Sequence, residues 1–489
     1  MHDSSPTVHC PPRPTPILMI AAPIAALGFA SGPYYGGKDD GMMMCPTEMP
    51  PPKYTGPIDY SISAYGQSCI ETEVNCFNRY SPFIPMAMEV ESGSVVSFKT
   101  RDLWDAPLSE GANPGGWDMT ASGNAANTPA VEDNFNNGVY GDLATVHILT
   151  GPVAVKGAMP GDKLKIEIMD IKPLNKGFTM ADRPLGFMDT VNAPEDYRAW
   201  TWWTYHEGSS GAYWTSPMFP DVEVPYEPFP GSIAVLPSEA TVAEKLAMHA
   251  DETTLYGGPG WPLVEDLAVP KAVCGPTGSH KGTCLRTLAG GSYMGNMDTQ
   301  RMGIGTTIYV ECQVEGCGVG TGDVHGAQGD GELSITAIEM ESDVIMKLTV
   351  VKPGQPGYNV PNMAMYGGNS IKRMSPGEFV SFYGMPEKET GHVPSQYRWA
   401  TEHAAALVSA KLIPESMSLA SQNALAKALI FLMDVGGYTY GEAMILASVT
   451  VDIRVAQLVD KPAIGMEAVV DLSIFKGATH AKFMAHLGK

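Results

Sequence analysis

The stretch "GAMPGDKLKIEIMDI", residues 157–171, begins with a Pro-Gly turn and continues with apolar residues at every second position. In an extended chain this alternation places the apolar side chains on one face of the strand. Similar strand patterns recur in "MEVESGSVVSF" (88–98), "TTIYVECQV" (306–314), "ELSITAIEM" (332–340), "DVIMKLTVVK" (343–352) and "MSPGEFVSFYGM" (374–385). Many short strands, in a chain with 53 glycines and 40 prolines, predict a mainly β protein with an antiparallel β-sandwich or jelly-roll-like core.

The pattern changes to helical spacing near residue 396. Two stretches predict helices, "YRWATEHAAALVSAKLI" (397–413) and "SLASQNALAKALIFLMDVGG" (418–437), and the second ends on a Gly-Gly pair suited to a C-cap. A third helix, "YTYGEAMILASV" (438–449), runs into the apolar strand "VTVDIRVAQLVD" (449–460). We therefore predict an N-terminal extension over 1–57, a β-rich core over 58–395, and a helical and β segment over 396–489 packed on that core.

The charge of the chain limits its partners. It carries 31 basic and 53 acidic residues, a formal net charge of -22. Binding to nucleic acid or to an anionic membrane surface needs clustered Lys and Arg, so we expect no nucleic-acid partner.

One apolar segment near the N-terminus bears on localisation. The run "ILMIAAPIAALGFA" (17–30) is too short to span a bilayer and contains Pro23. It resembles the apolar region of a signal peptide, although a single arginine precedes it. We expect no stable membrane insertion and favour a cytoplasmic location, with secretion or organelle targeting left open.

The eight cysteines contain no C-x-x-C pair, so a thiolate zinc site of the common kind is not expected. Three pairs are close enough in sequence for disulfides: Cys69 with Cys76, Cys274 with Cys284, and Cys312 with Cys317. Because a core of this size does not require disulfides, free thiols are the favoured prediction.

The stretch "GDVHGAQGDGE" (322–332) concentrates metal-capable side chains between glycines. Asp323 and His325 are two residues apart, as are Asp330 and Glu332, so on an extended backbone each pair faces one side. A histidine with carboxylates suits zinc, and additional oxygen donors also suit calcium. The alternative is a polar, glycine-rich hairpin whose carboxylates cap turns.

Two further segments offer compatible ligands. "GNMDT" (295–299) supplies Asn296 and Asp298, and His147 precedes a strand-turn-strand unit. Taken singly, each has an ordinary explanation, because Asn and Asp beside Gly are common in turns and a lone His is more often structural. Together with the 322–332 stretch they would complete a mixed nitrogen and oxygen coordination set.

Five separated motifs resemble those of the acetamidase/formamidase family, in the same order and at similar spacing. They are "HILTGPVAVKGAMPGDKLKIEIMDI" (147–171), "PFPGSIAVLP" (228–237), "GNMDT", "GDVHGAQGDGE" and "LASVTVDIRVAQLVDKPAIGMEAVV" (446–470). The resemblance covers roughly residues 85 to 475. It implies a mainly β, metal-associated enzyme that hydrolyses short aliphatic amides such as formamide or acetamide to a carboxylate and ammonia.

On this basis we expect a divalent metal, zinc before calcium, held by His147, Asp298, Asp323 and His325. Glu332 is the expected general base, with Asp330 as the alternative base or a further ligand. Asn296 and Gln328 are expected to bind the small amide substrate. A metal-activated water needs neither a serine elbow nor a cysteine nucleophile, and the chain has no G-x-S-x-G motif.

Departures from the family pattern keep other functions open. The N-terminal residues 1–57, the aromatic insert "YRAWTWWTYHEGSSGAYWTSPMF" (197–219) and the long stretch 240–290 look foreign to the family. Trp202, Trp203 and Tyr205 could line a pocket, but surface packing against a neighbouring subunit is favoured, which predicts a homo-oligomer. The alternatives are a non-catalytic metal-binding homologue with a structural or assembly role, and a metal hydrolase acting on a different C–N bond.

Overall fold

The strands and helices are those of a computed structural model, which describes residues 53–103, 105, 123–124, 146–182, 187–188, 198–209, 211–256, 265–288, 290–367, 378–388, 404–413, 415–458 and 464–487. The strands, in chain order, are β1 (Tyr60–Ser63), β2 (Cys76–Phe77), β3 (Arg79–Tyr80), β4 (Met88–Val90), β5 (Ser94–Lys99), β6 (Gly123–Asn124), β7 (Leu149–Val155), β8 (Lys163–Pro173), β9 (Gly177–Asp182), β10 (Arg198–Gly208), β11 (Gly211–Ser216), β12 (Phe219–Pro225), β13 (Phe229–Ala234), β14 (Leu285–Arg286), β15 (Met294–Asn296), β16 (Thr306–Glu311), β17 (Val319–His325), β18 (Glu339–Met340), β19 (Ser342–Val351), β20 (Ala364–Gly367), β21 (Phe379–Gly384), β22 (Val451–Gln457) and β23 (Gly465–Asp471). The α-helices are α1 (Cys69–Thr72), α2 (Glu239–Tyr256), α3 (Lys271–Cys274), α4 (Ala404–Ser409), α5 (Met417–Phe431), α6 (Tyr440–Thr450) and α7 (Gly477–His486).

The stretch 157–171 forms the turn before β8 and most of that strand. Leu164, Ile166 and Ile168 are buried, whereas Lys165 and Glu167 between them are partly exposed, as the alternation predicts. Strand β8 lies inside a six-stranded sheet of order β1-β5-β19-β8-β16-β20. All neighbours in it are antiparallel except β1 and β5.

A twelve-stranded sheet forms the second large layer. Its main path is β12-β11-β10-β9-β18-β17-β13-β15, and β7 pairs with β17, β2 and β4, while β6 pairs with β10. One buried apolar cluster contains residues of both sheets, among them Ile166 and Met346 from the first and Ile233 and Val324 from the second. The prediction of a mainly β, antiparallel core followed by an α+β segment is confirmed.

The C-terminal segment contains a helix within each of the three stretches predicted to be helical, although the bounds differ. Helix α5 continues into a π-helical turn, Leu432–Gly436, and ends at Gly437, whose φ of 83° is the left-handed C-cap expected of the glycine pair. Helix α6 begins with a capping box formed by Thr439 and Glu442. It contacts β9 and β10, and it leads directly into β22 of a three-stranded sheet of order β21-β23-β22.

The strand predicted over residues 332–340 is wrong. Only Glu339–Met340 is extended, because Glu332 and Ile335 have φ of 45° and 85° and turn the chain. The Ser334 and Thr336 hydroxyls donate hydrogen bonds to the Met180 carbonyl on β9, which holds the segment as a folded loop. The buried apolar residues of this segment therefore belong to a folded loop and not to a strand.

The interpretation of the aromatic insert as a subunit-contacting surface is also wrong. Trp203 and Trp214 are fully buried, and Trp202 is 9% exposed. The Trp203 indole donates to the Thr179 hydroxyl at 2.9 Å, so the insert belongs to the core beside β9. The homo-oligomer expectation loses the observation on which it was based, and it stays a prediction from the sequence.

The prediction of free thiols is wrong for the three close cysteine pairs. Disulfides join Cys69 to Cys76, Cys274 to Cys284 and Cys312 to Cys317. Short loops of 5 to 10 residues bring each pair together. Cys10 and Cys45 lie outside the described residues.

Removing the disulfide between Cys312 and Cys317 by serine substitution at both positions is expected to lower stability. This disulfide lies between β16 and β17, and losing a native one typically costs about 2–5 kcal/mol, with a short loop at the low end. Thermal melting of the double variant beside the parent protein measures the effect. Peptide mapping without reductant is expected to recover all three cross-links; recovery of only free-thiol peptides would contradict this assignment.

The predicted N-terminal extension lies outside the described residues except for 53–57, and so does the apolar run 17–30. Among the residues that the structure describes, none of the helices combines the length and the apolar character needed to cross a bilayer.

Candidate active site

Strand β17, an inner strand of the twelve-stranded sheet, contains two of the predicted ligands, and both are buried. Asp323 is 2% exposed and His325 is 1% exposed. The Asp323 Oδ1 atom lies 3.6 Å from His325 Nε2. The spacing of two residues therefore does bring this pair of side chains together.

His147, just before β7, approaches the same carboxylate. Its Nε2 atom lies 3.8 Å from Asp323 Oδ1. Its Nδ1 atom faces the Thr287 carbonyl oxygen at 3.3 Å, and its backbone N–H donates to the Thr287 hydroxyl at 2.6 Å. Because a carbonyl can only accept, Nδ1 carries the proton, and the Nε2 lone pair is directed towards Asp323.

Gln328 fixes the orientation of the second imidazole. Its side-chain NH₂ group donates to the Asp298 carbonyl oxygen at 2.9 Å, so its Oε1 atom faces His325 Nδ1 at 2.7 Å. Nδ1–H is therefore the donor, so in the neutral imidazole that a metal would require, the lone pair is on Nε2, inside the cluster. Hydrogen bonds of this kind commonly orient imidazoles that bind metals.

Carboxylates surround His325 Nε2. Glu339 Oε2 lies 3.4 Å from it and Glu332 Oε1 lies 3.9 Å from it. Two groups of donor atoms, each with all atoms within 4.8 Å of one another, share this histidine: Asp298 with Asp323, and Glu332 with Glu339. Five of the residues that could hold a metal therefore converge, with His147 at the edge.

Glu339 is a site residue that was not predicted from the sequence. It is 1% exposed and lies directly opposite His325 in the pairing of β17 with β18. Its Oε1 atom accepts a hydrogen bond from the Ala337 N–H at 2.8 Å. A buried glutamate in an apolar stretch was the available signal, but the register of β18 is what places it at the site.

Among the predicted ligands and bases, Asp330 and His147 join neither donor group formed by the described residues, but His147 lies beside Asp323 and Asp330 does not. The extended backbone assumed for Asp330 and Glu332 is wrong, because Gly331 and Glu332 have φ of 109° and 45°. The Asp330 backbone N–H instead donates to the Asp452 carboxylate at 3.0 Å.

Close packing around the cluster requires a glycine at position 231. A Cβ atom there would lie 2.6 Å from both Asp298 Oδ1 and Asp323 Oδ2. The neighbouring Ser232 hydroxyl lies 3.0 Å from Asn296 Oδ1 and 3.4 Å from Asp323 Oδ2. Gly231, within strand β13, therefore lets the backbone pass directly beside two site carboxylates.

Burial and mutual repulsion change the protonation of these groups. Burial and the charge of Asp323 raise the pKa of Asp298 to about 7 and that of Glu339 to about 8, although His325 lowers both. Burial and the Asp298 charge raise the pKa of Glu332 well above its ordinary value. Burial opposes protonation of His325, but Glu339 and Asp323 still raise its pKa. These groups therefore hold protons that a bound cation would displace, and the cation would stabilise their ionised forms.

Among the residues that the structure describes, none is a hydrogen-bond partner for three buried atoms at the centre of the cluster: Asp298 Oδ1, His325 Nε2 and Glu339 Oε2. Unpartnered buried polar atoms are costly, so their convergence needs an explanation. Two imidazole nitrogens with carboxylate oxygens are a donor set that fits a divalent transition metal. The residues therefore fit the implied metal.

Comparisons with known proteins agree with these motifs. The Acetamidase/Formamidase family matches residues 125–477. The chain is 27% identical over 357 residues to an acetamidase of Mycolicibacterium smegmatis, covering 68% of this chain and 79% of that protein. It is 27% identical over 313 residues to a formamidase of Methylophilus methylotrophus, covering 60% and 68%.

A solved structure shows a similar fold. The gamma lactamase from Delftia acidovorans aligns with a TM-score of 0.67 over 86% of this chain and 94% of that chain, at 24% identity. The family match alone spans most of the chain, including all the residues that converge on His325. We conclude that the chain belongs to the acetamidase/formamidase family.

Proposed function

We propose that this protein is an amidohydrolase that converts short aliphatic amides, such as formamide and acetamide, to a carboxylate and ammonia with the help of a bound divalent metal. The observation that carries the proposal is the convergence of three unpartnered buried atoms, Asp298 Oδ1, His325 Nε2 and Glu339 Oε2. Membership of the acetamidase/formamidase family supports the reaction class.

We propose that His147, His325 and Asp323 hold the metal, with Asp298 or Glu339 completing the set. Two neutral imidazoles favour zinc or a similar transition metal over calcium, which takes oxygen ligands. Such an ion, when bound, supplies a Lewis acid and lowers the pKa of a water molecule from about 15.7 to about 7.

We assign proton transfer to Glu332. Its side chain is 18% exposed, against 3% for Asp323 and 2% for Glu339, so it is the more accessible carboxylate for a water molecule and a substrate. A carboxylate with a raised pKa is a stronger base near neutral pH. Glu332 would accept a proton from the attacking water and deliver it to the leaving amide nitrogen. Ammonia then departs and the carbonyl carbon becomes a carboxylic acid, which releases its remaining proton to give the carboxylate.

The remaining predicted residues divide between binding and support. Asn296 accepts from Ser232 through Oδ1, and we propose that its NH₂ group donates to the substrate oxygen. We propose a positioning role for Gln328 in place of substrate binding, since its amide already joins His325 to Asp298. We propose neither a ligand role nor a base role for Asp330. It contributes to the turn that orients Glu332.

The experiment is ammonia release from formamide, acetamide and propionamide, with metal analysis of the purified protein. We expect release from at least one amide, loss of activity after treatment with a chelator, and recovery when zinc is added back. Treatment with a chelator already saturated with zinc controls for non-specific inhibition. Stoichiometric metal without release from any of the three would overturn the simple-amide proposal and support a non-catalytic homologue.

A further inference from the structure

The junction between helix α6 and strand β22 packs against the loop that carries Glu332. The Gly329 N–H donates to the Ser448 carbonyl at 2.7 Å. A Cβ atom on Gly329 would lie 2.2 Å from the Val451 carbonyl oxygen, so no other residue fits this approach. The Ser448 hydroxyl also accepts from the Ser334 N–H at 3.0 Å. The Ser448 backbone carbonyl and side-chain hydroxyl thus bind the loop at Gly329 and at Ser334, on either side of Glu332.

Asp452, the second residue of β22, makes the link to the other site segment. It is 5% exposed. Its Oδ1 atom accepts from the Asp330 N–H at 3.0 Å and from the Gln300 side-chain NH₂ group at 3.3 Å. Its Oδ2 atom accepts from the Arg454 guanidinium at 2.6 Å. Arg454 binds Oδ2 of Asp452, and Oδ1 is the atom that accepts from both Asp330 and Gln300.

Each of the two donor residues is two positions away in the sequence from a site carboxylate. Asp330 is two residues before Glu332, and Gln300 is two residues after Asp298. One oxygen atom therefore ties together the segments that carry Glu332 and Asp298. Neither donor group that surrounds His325 contains Asp452 itself.

We propose that Asp452 is a positioning residue for amide hydrolysis, acting by fixing the Glu332 loop relative to the Asp298 segment. This inference rests on the proposed function. The turn at Gly331 and Glu332 has φ of 109° and 45°, conformations that the surrounding contacts must hold in place. A shift of about 1 Å in a reacting group can lower a rate about 100-fold, so holding the turn is part of catalysis.

The test compares Asp452→Ala with Asp452→Asn. Alanine removes the shared acceptor, and kcat is expected to fall about 10- to 100-fold, with KM and metal content close to those of the parent. Asparagine retains an acceptor oxygen at the same place and is expected to restore most of the lost kcat. Asp434→Ala, which removes an exposed carboxylate from the same C-terminal segment, is the matched control and is expected to leave kcat unchanged.

A readout independent of activity is hydrogen–deuterium exchange of peptides that cover residues 328–336. Exchange is expected to be faster in Asp452→Ala than in the parent or in Asp434→Ala, because the Asp330 N–H loses its acceptor. If the parent protein releases no ammonia, the proposed function fails, but faster exchange would still establish the positioning contact.

Parent-like kcat and parent-like exchange in Asp452→Ala would overturn the inference. So would a drop in melting temperature with unchanged kcat, because that result describes a purely structural role. If the alanine variant does not fold, Gln300→Ala removes one of the two links from a partly exposed position. It is expected to lower kcat about 3- to 10-fold, and an unchanged kcat would count against the proposal.

Discussion

Replacing Asp323 with asparagine is expected to abolish both metal binding and amide hydrolysis. Asp323 Oδ1 is the atom that both imidazoles face, at 3.8 Å from His147 Nε2 and 3.6 Å from His325 Nε2. Burial raises the pKa of Asp323, but His147 and His325 together outweigh burial and lower it, which favours the ionised carboxylate. The amide of asparagine keeps the shape but removes this charge.

The expected loss in kcat/KM is about 1,000-fold or more, equivalent to about 4 kcal/mol of transition-state stabilisation. Metal analysis and kcat/KM with the best amide substrate measure the two effects together. Asp343→Asn is a matched control, because Asp343 also accepts from a serine hydroxyl, that of Ser97, but lies on β19 in the other sheet. A fully metal-loaded Asp323→Asn protein with near-parent kcat/KM would remove Asp323 from the ligand set.

The sequence predicts those parts of the fold that depend on local patterns. The alternation in β8 and the glycine C-cap that follows α5 each involve neighbours along the chain, and both appear as predicted. The 332–340 stretch has the same alternation, but the left-handed residues Glu332 and Ile335 fold it into a loop. Apolar alternation does not distinguish a strand from a loop whose side chains happen to be buried.

The candidate site likewise contains some residues that local sequence patterns predict and others that only tertiary structure brings to the site. Asp323 and His325 lie two residues apart on one strand and their side chains meet as predicted, although Asp323 has φ of 55° and is not in the extended conformation that the prediction assumed. Glu339 reaches the site only through the register of β18 against β17, which no local pattern encodes. Gln328 has the residue type of a substrate-binding group, yet contacts formed across the fold use both ends of its amide.

The burial of the aromatic insert also depends on tertiary packing and not on a local sequence pattern. Trp214 donates from its indole to the Gly326 carbonyl at 3.2 Å, directly beside His325. A run of aromatic residues predicts an interface or a core equally well, and only the pairing of β10 with β9 and β11 decides between them. The insert therefore supports the strand that carries the ligands.

Replacing Glu332 with glutamine is expected to abolish turnover while leaving metal content near that of the parent. Glu332 Oε1 is 3.9 Å from His325 Nε2, the longest of the three carboxylate distances to that atom, and its side chain is more exposed than that of Asp323 or Glu339. These features suit a base that exchanges protons with water. Loss of general acid–base catalysis lowers kcat about 100- to 10,000-fold.

Glu339→Gln separates this role from ligation, because the two glutamates differ in contact and exposure. Glu339 Oε2 lies 3.4 Å from His325 Nε2 without a hydrogen-bond partner, and Oε1 is occupied by the Ala337 N–H. If Glu339 completes the ligand set, its glutamine variant loses metal affinity, and added zinc restores part of its activity. Added zinc does not rescue Glu332→Gln, since the missing group is a base. The opposite pattern, with metal lost from Glu332→Gln and retained in Glu339→Gln, would exchange the two assignments: Glu332 would be the ligand, and the buried Glu339 would have to move protons through a site with almost no access for water.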